Sequence, residues 1–124
     1  MTNVVQAAID ASASTGVERF ILESSYLVDR ARLTTGARML RTMMTSIVDD
    51  KTASEMKLEN SALLWTIVRP TILGNQRVTA GARLVPPGER VGLGNRISRA
   101  DVATWILDEC TKNEHVNAEV LISE

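Results

Sequence analysis

Few side chains in this sequence are equipped for chemistry by type and spacing alone. There is one cysteine, Cys110, and one histidine, His115. A single cysteine forms no internal disulfide, and no Cys/His cluster has the spacing of a zinc site, so no metal is expected. Cys110, near the end of a helix face, reads as a small buried hydrophobe. His115, in the polar segment KNEHVN, reads as a surface residue. The stretch that stands out is Leu63 to Asn75, LLWTIVRPTILGN, where the β-branched run Trp65 to Val68 breaks at Arg69 and Pro70 and gives way to a loop containing Gly74. That is the pattern of a buried strand delivering a loop. In open parallel α/β sheets ligands sit beyond the carboxyl ends of the strands, so the loop from Arg69 to Asn75 is where chemistry is expected. Arg69 itself suits an ion-pair anchor as well as a ligand contact.

Composition narrows the class. The chain has 124 residues and a formal net charge of -1, with 3% aromatic residues. A balanced charge gives no electrostatic footprint for nucleic acid, and so few aromatics leave no base-stacking platform. No apolar run approaches the roughly 18 residues that cross a bilayer. The first residues, MTNVVQAAIDASAS, have neither the basic start nor the cleavage pattern of a signal peptide, so a cytoplasmic protein without membrane contact is expected.

The elements that must position the loop follow in order. Val4, Val5, Ala8, Ile9 and Ser12 share one helix face, with Thr2 or Asn3 as N-cap and Gly16 as stop, which predicts a helix from Asn3 to Thr15. Val17 to Glu23 is a short apolar run closed by Ser24 and Ser25, the pattern of a buried parallel strand. From Tyr26 to Val48 the pattern is loose. A short helix is expected over Gly36 to Ser46, with Met39, Met43 and Met44 as irregular core filler. Asp49 and Asp50 supply acid at the head of a helix from Lys51 to Asn60.

Residues 76–96, rich in Gly, Pro and Arg, read as a long functional loop anchored by Leu84, Val85, Val91 and Leu93. Ser98 as N-cap with Asp101 at N3 starts the best-defined helix, whose face carries Val102, Ile106 and Cys110. Ala118 to Ser123 closes the chain as a strand. Repeated α-then-β order with short links predicts an α/β fold, a partial Rossmann-like parallel sheet with crossover helices.

Taken together, GVERFILESS, Lys51 to Glu55, LLWTIVRPTIL, RISRADVATWILDE and AEVLIS resemble the C-terminal part of the atypical short-chain dehydrogenase/reductase family, most of all its NmrA-like NAD(P)H-binding proteins and flavin reductases. The resemblance runs from Val4 to Ser123. It implies that residues 1–124 are one C-terminal portion of an NAD(P)-binding domain, with NADP or NAD as cofactor. It also implies a catalytic or nicotinamide-facing serine at Ser24 or Ser25, and an active-site lysine at Lys51 that hydrogen-bonds the nicotinamide ribose. By the same resemblance, Pro70, Thr71 and Ile72 form the segment that lines the nicotinamide, its backbone N–H and C=O groups turned to the carboxamide. The tyrosine that many relatives place four residues before the lysine falls on Ile47, which disfavours a standard Tyr-Lys dehydrogenase. Flavin-reductase-like relatives also lack it, so redox chemistry stays open. Arg99 and Asp101 match a family signature and read as helix-start architecture.

The resemblance also marks an absence. Relatives begin with a strand, a Gly-rich turn and a helix N-terminus that binds the pyrophosphate. Here the only GxG is Gly92-Leu-Gly94, without the flanking strand and helix that the fingerprint needs. The expectation is a reductase of a flavin, quinone or similar small acceptor, truncated and inactive alone. The alternatives are an NAD(P)-sensing regulator and a split half that needs an N-terminal partner. An open sheet edge beside Phe20 would favour self-association.

Overall fold

The computed structural model describes residues 2–76 and 81–124. Arg77, Val78, Thr79 and Ala80, part of the segment read as a long loop, lie outside the described residues. The helices are α1 (Thr2–Thr15), α2 (Thr35–Met43), α3 (Thr45–Glu59) and α4 (Arg99–Lys112). The strands are β1 (Arg19–Glu23), β2 (Leu64–Pro70), β3 (Ile72–Gly74), β4 (Arg83–Leu84), β5 (Arg96–Ser98) and β6 (Ala118–Ser123).

The main sheet has the order β1-β2-β6-β4, with β1, β2 and β6 parallel and β4 antiparallel to β6. β3 and β5 form a separate two-stranded parallel sheet. Helices cover both faces. Val5 of α1, Leu22 of β1, Leu58 of α3 and Ile67 of β2 pack on one side, and Val68, Ile97, Val102 and Ile122 pack under α4 on the other. This is the predicted α/β arrangement: β2 is apolar on both faces because both are buried. A further cluster of Tyr26, Leu27, Leu33, Ala37, Val48 and Val91 holds α2 and the two short 3-10 turns Tyr26–Val28 and Arg30–Arg32 against α3. No described helix is long and apolar enough to cross a membrane.

Several local signals work as read. Gly16 stops α1 at φ 78°, a left-handed conformation that costs glycine little. Ser98 Oγ accepts from the Asp101 N–H at 3.0 Å, capping α4. Gly92 is required by close approach, since a Cβ there would lie 2.2 Å from Thr34 Oγ1.

Others are corrected. The second long helix begins at Thr45, so Asp49 and Asp50 sit inside it. Asp50 serves a different helix end: its carboxylate accepts the Thr2 N–H at 3.1 Å, putting negative charge at the start of α1. Met39 and Met43 are 66% and 82% exposed rather than core filler, because α2 presents Ala37 to the core and Leu40 at its margin, where Met44, just past its end, joins it. Leu84 and Leu93 are exposed, leaving Val85 and Val91 as the anchors of their segment. Cys110 is exposed, since the inward face of α4 runs through Val102 and Glu109 and Cys110 falls just outside it.

The segment after Val68 is also more ordered than a loop. β2 continues to Pro70, a single bend residue follows, and β3 begins at Ile72. A proline is tolerated there because β1 has ended. The Ser24 N–H bonds the Val68 carbonyl at 2.7 Å, so by the two-residue alternation of a strand the missing Pro70 N–H faces the side that β1 has just left.

Ile67→Ala would empty a fully buried position between β2 and the α1–α3 face. It is expected to lower the unfolding free energy by about 2–5 kcal/mol, whereas Met39→Ser on the exposed side of α2 should change it by less than about 0.5 kcal/mol. Urea unfolding of both variants beside the parent chain makes the comparison.

Candidate functional site

The carboxyl ends of β1 and β2 open into a cavity of about 250 Å³. Ser24, Ser25, Lys51, Pro70, Thr71 and Ile72 all border it, with Tyr26, Leu27, Leu40, Met44 and Leu73 completing the wall. The residues named from sequence therefore converge although they come from different elements. The two serines follow β1, Lys51 lies on α3, Pro70 ends β2, Thr71 is the bend and Ile72 opens β3.

The serines have different duties. Ser25 Oγ accepts the Leu27 N–H at 3.2 Å and caps the first 3-10 turn. Ser24 is buried and its Oγ donates to Glu55 Oε2 at 2.6 Å. Glu55 is four residues after Lys51 and therefore on the same side of α3. Its carboxylate is gripped by Arg69, whose Nε donates to Oε2 at 3.2 Å while Nη2 pairs with Oε1. Nη2 also reaches Glu119 Oε2 at 2.6 Å. Arg69 is thus an ion-pair anchor in this structure, lying on the α3 side of the sheet. Burial alone would lower its pKa, but the hydrogen bond and charge of Glu55, and then Glu119, outweigh burial and hold the guanidinium above its ordinary value.

Thr71 and Ile72 require a correction. Their backbone N–H groups are not turned to a ligand: that of Thr71 goes to the Ile122 carbonyl at 3.1 Å and that of Ile72 to Asn95 at 3.2 Å. The Thr71 hydroxyl donates to Ser123 Oγ at 3.0 Å. One segment must join the main sheet to the β3–β5 ribbon, and both strands claim its donors. Arg99 Nη1 donates to Asn75 Oδ1 at 2.6 Å, tying the start of α4 to the end of β3, which is the architectural role expected of it.

Tyr26, just after the serines and not at the spacing of the family's tyrosine, also lines the cavity. Its hydroxyl is buried without a hydrogen-bond partner among the described residues, and burial raises its pKa above the ordinary value. Ile47, at the position of the absent tyrosine, is 51% exposed. Glu55 was missed as a working residue, although its i+4 spacing from Lys51 was a usable signal.

His115 is better placed than a surface residue. Its Nδ1 lies 2.9 Å from Glu109 Oε2, its N–H donates to Oε1 at 2.7 Å, and Arg19 reaches the same Oε1 at 3.0 Å. Burial would raise the Glu109 pKa, but the His115 hydrogen bonds, and after them the Arg19 guanidinium, pull it below its ordinary value. This cluster lies beside the amino ends of the strands, away from the cavity, and its work is structural.

A family model described as NAD(P)H-binding matches residues 1–113. The chain belongs to this NAD(P)H-binding family. No curated protein matches it. Among solved structures, a short-chain dehydrogenase/reductase from Veillonella parvula in complex with NADP superposes with a TM-score of 0.83 at 19% identity, covering 97% of this chain and 57% of that one. The anaerobillin reductase ChuY from Escherichia coli O157:H7 gives a TM-score of 0.79 at 25% identity, covering 95% and 55%. The oxidoreductase ylbE from Lactococcus lactis gives 0.71 at 20% identity, covering 92% and 49%. The chain thus has the Rossmann-like fold of these proteins and spans about half the length of each.

Two consequences of the ion-pair cluster are open to test. Arg69→Met leaves the Glu55 carboxylate buried without its main partner and should cost about 3–5 kcal/mol, whereas Glu119→Gln, at the wetter end, should cost no more than about 1 kcal/mol. Chemical denaturation that ranked the two the other way would contradict the arrangement.

The second concerns pH. Burial, and next a hydrogen bond with Glu119, raise the Glu59 pKa above its ordinary value of 4.5. A carboxyl with a higher pKa in the folded than in the unfolded state contributes fully below the unfolded value, and that contribution is lost as pH rises through the folded one. Glu59→Gln should therefore flatten the fall in stability on that limb. Thermal melts across it, from about pH 4 to pH 8, should show a shallower slope for the variant, and identical slopes would count against the assignment.

Proposed function

We propose that the cavity at the ends of β1 and β2 is the nicotinamide end of an NAD(P)H site, in a reductase that acts on a flavin, quinone or similar small acceptor. The observation that carries this reading is the convergence of Ser24, Ser25, Lys51, Pro70, Thr71 and Ile72 on one cavity, beyond the carboxyl ends of parallel strands where such ligands bind. The cofactor, when bound, supplies hydride transfer to the acceptor. The chain's own part is to bind and orient. Lys51 offers a cationic donor to the ribose, Leu27, Leu40, Met44 and Leu73 offer apolar surface to the ring, and Ser24 offers an oxygen held by Glu55. Membership of the family supports NAD(P)H, without a choice between its two forms.

Binding by these 124 residues alone is expected to be weak, because Gly92-Leu-Gly94, the only GxG of the sequence, occupies a turn and not a strand-to-helix phosphate cradle. The remaining contacts would come from a Gly-rich βα unit, supplied by a longer chain or by a partner. We place the protein in the cytoplasm. The outer edge of β1, which has β2 as its one neighbour among the described residues, is the place for self-association or for such a partner.

A sensing role without turnover is the second reading, favoured by the aliphatic, exposed Ile47 at the tyrosine position. Reduced nicotinamide mononucleotide, which needs no adenosine site, separates these questions. In amide NMR it should shift resonances around Ser24, Lys51 and Ile72 with a dissociation constant on the order of millimolar, and Lys51→Ala should weaken it. Shifts elsewhere, or none, would end the nicotinamide reading. If it binds, its oxidation in the presence of flavin mononucleotide or a quinone marks a reductase, and binding without oxidation marks a sensor.

A further inference from the structure

The hydroxyl of Ser24 has its proton direction fixed from behind. Glu55 is 3% exposed and Ser24 5%, and Arg69 engages both carboxylate oxygens of Glu55. An ionised carboxylate only accepts hydrogen bonds. The 2.6 Å contact between Ser24 Oγ and Glu55 Oε2 therefore uses the serine proton, and its length is that of an O–H donor meeting a charged acceptor. What Oγ keeps for the cavity is its lone pairs.

The neighbouring backbone points the same way. Pro70 has no N–H, and those of Thr71 and Ile72 are spent on Ile122 and Asn95. The stretch of wall from Pro70 to Ile72 thus has no main-chain N–H to give a ligand, and Ser24 beside it has no spare proton.

We propose that Ser24 acts toward the ligand as a hydrogen-bond acceptor, and that Glu55, itself fixed by Arg69, is the positioning residue that sets this polarity. This rests on the nicotinamide reading and deepens it. The group selected is a ring carrying an N–H donor, as a primary carboxamide does, and Ser24 is not the group that protonates an acceptor substrate. Removal of Glu55 frees the rotor and with it the discrimination.

The test compares reduced nicotinamide mononucleotide with its 3-acetylpyridine counterpart, in which a methyl group replaces the amide NH2, on the complete 124-residue chain. The parent chain should bind the acetyl compound more weakly by roughly three- to tenfold, the worth of one hydrogen bond. Ser24→Ala should weaken the carboxamide compound by a similar factor and bring the ratio to about one. In Glu55→Gln the amide can donate to Oγ as well as accept, so the ratio should shrink. A parent ratio of one, or a ratio that survives Ser24→Ala, overturns the proposal.

The polarity is also readable without ligand. The Ser24 hydroxyl proton should appear in the free chain as a slowly exchanging, downfield NMR resonance, lost in Ser24→Ala and shifted in Glu55→Gln. If neither nucleotide moves a cavity resonance, the nicotinamide reading fails and the hydroxyl resonance still decides the role of Ser24: exchange at the bulk rate overturns it. Should Glu55→Gln not fold, Ser24→Ala and this resonance carry the same decision.

Discussion

The structure around the cavity depends on one ion pair, Arg69 with Glu55. Taking both charges out of water costs several kcal/mol each, and only a well-formed fork with further partners repays it. Here the repayment comes from two donors of one guanidinium to one carboxylate, from Glu119 beyond it and from the Ser24 hydroxyl. A pair with so much to lose by sliding fixes where α3 sits on β2. Lys51, one turn before Glu55, is carried to the cavity mouth by the same constraint, and the chain leaving β1 is pinned where Ser24 meets Glu55. Strand, helix and turn are thus held in one register by one polar cluster beside the apolar contacts of Leu22, Leu58 and Ile67.

The two ends of the main sheet use polar groups differently. Beside the amino ends, Arg19, Glu109, His115 and Thr66 satisfy one another, with the His115 ring 5.5 Å from that of Trp105. These groups knit the exit of α4 to the start of the strands. At the carboxyl ends, where β1 stops and β2 meets its proline, the ladder opens and polar atoms border a cavity instead. The asymmetry arises because parallel strands all begin at one end and all deliver their loops at the other.

What the sequence made legible follows from how each signal is encoded. β1, β2 and β6 are short, largely apolar runs between turn residues, and α4 carries its own cap at Ser98, so local chemistry announces them. The start of α3 was hidden because its first turn, Thr45 to Val48, mixes exposed Ile47 with buried Val48 and gives no clean stripe. β3 and β5, at three residues each, are too short to show an alternation. The residues that border the cavity, Ser24, Ser25, Lys51, Pro70, Thr71 and Ile72, were reachable through resemblance to a family. The polar cluster behind them was not, because it depends on Arg69 meeting Glu55 and Glu119 across the fold, and no local pattern encodes that meeting.

The cavity wall is divided between two kinds of support. Ser24, Pro70 and Thr71 belong to strand ends whose backbone bonds the sheet already requires, whereas Leu40 comes from α2, a short helix anchored chiefly by Ala37 with its far side in water, and Met44 from the joint between α2 and α3. Mutational freedom is therefore unequal around one cavity. Over evolutionary time the strand-end wall is locked by folding, while the α2 wall can be rewritten residue by residue. A lineage built on this scaffold can recast the α2 side of the cavity while the strand-end side stays as it was.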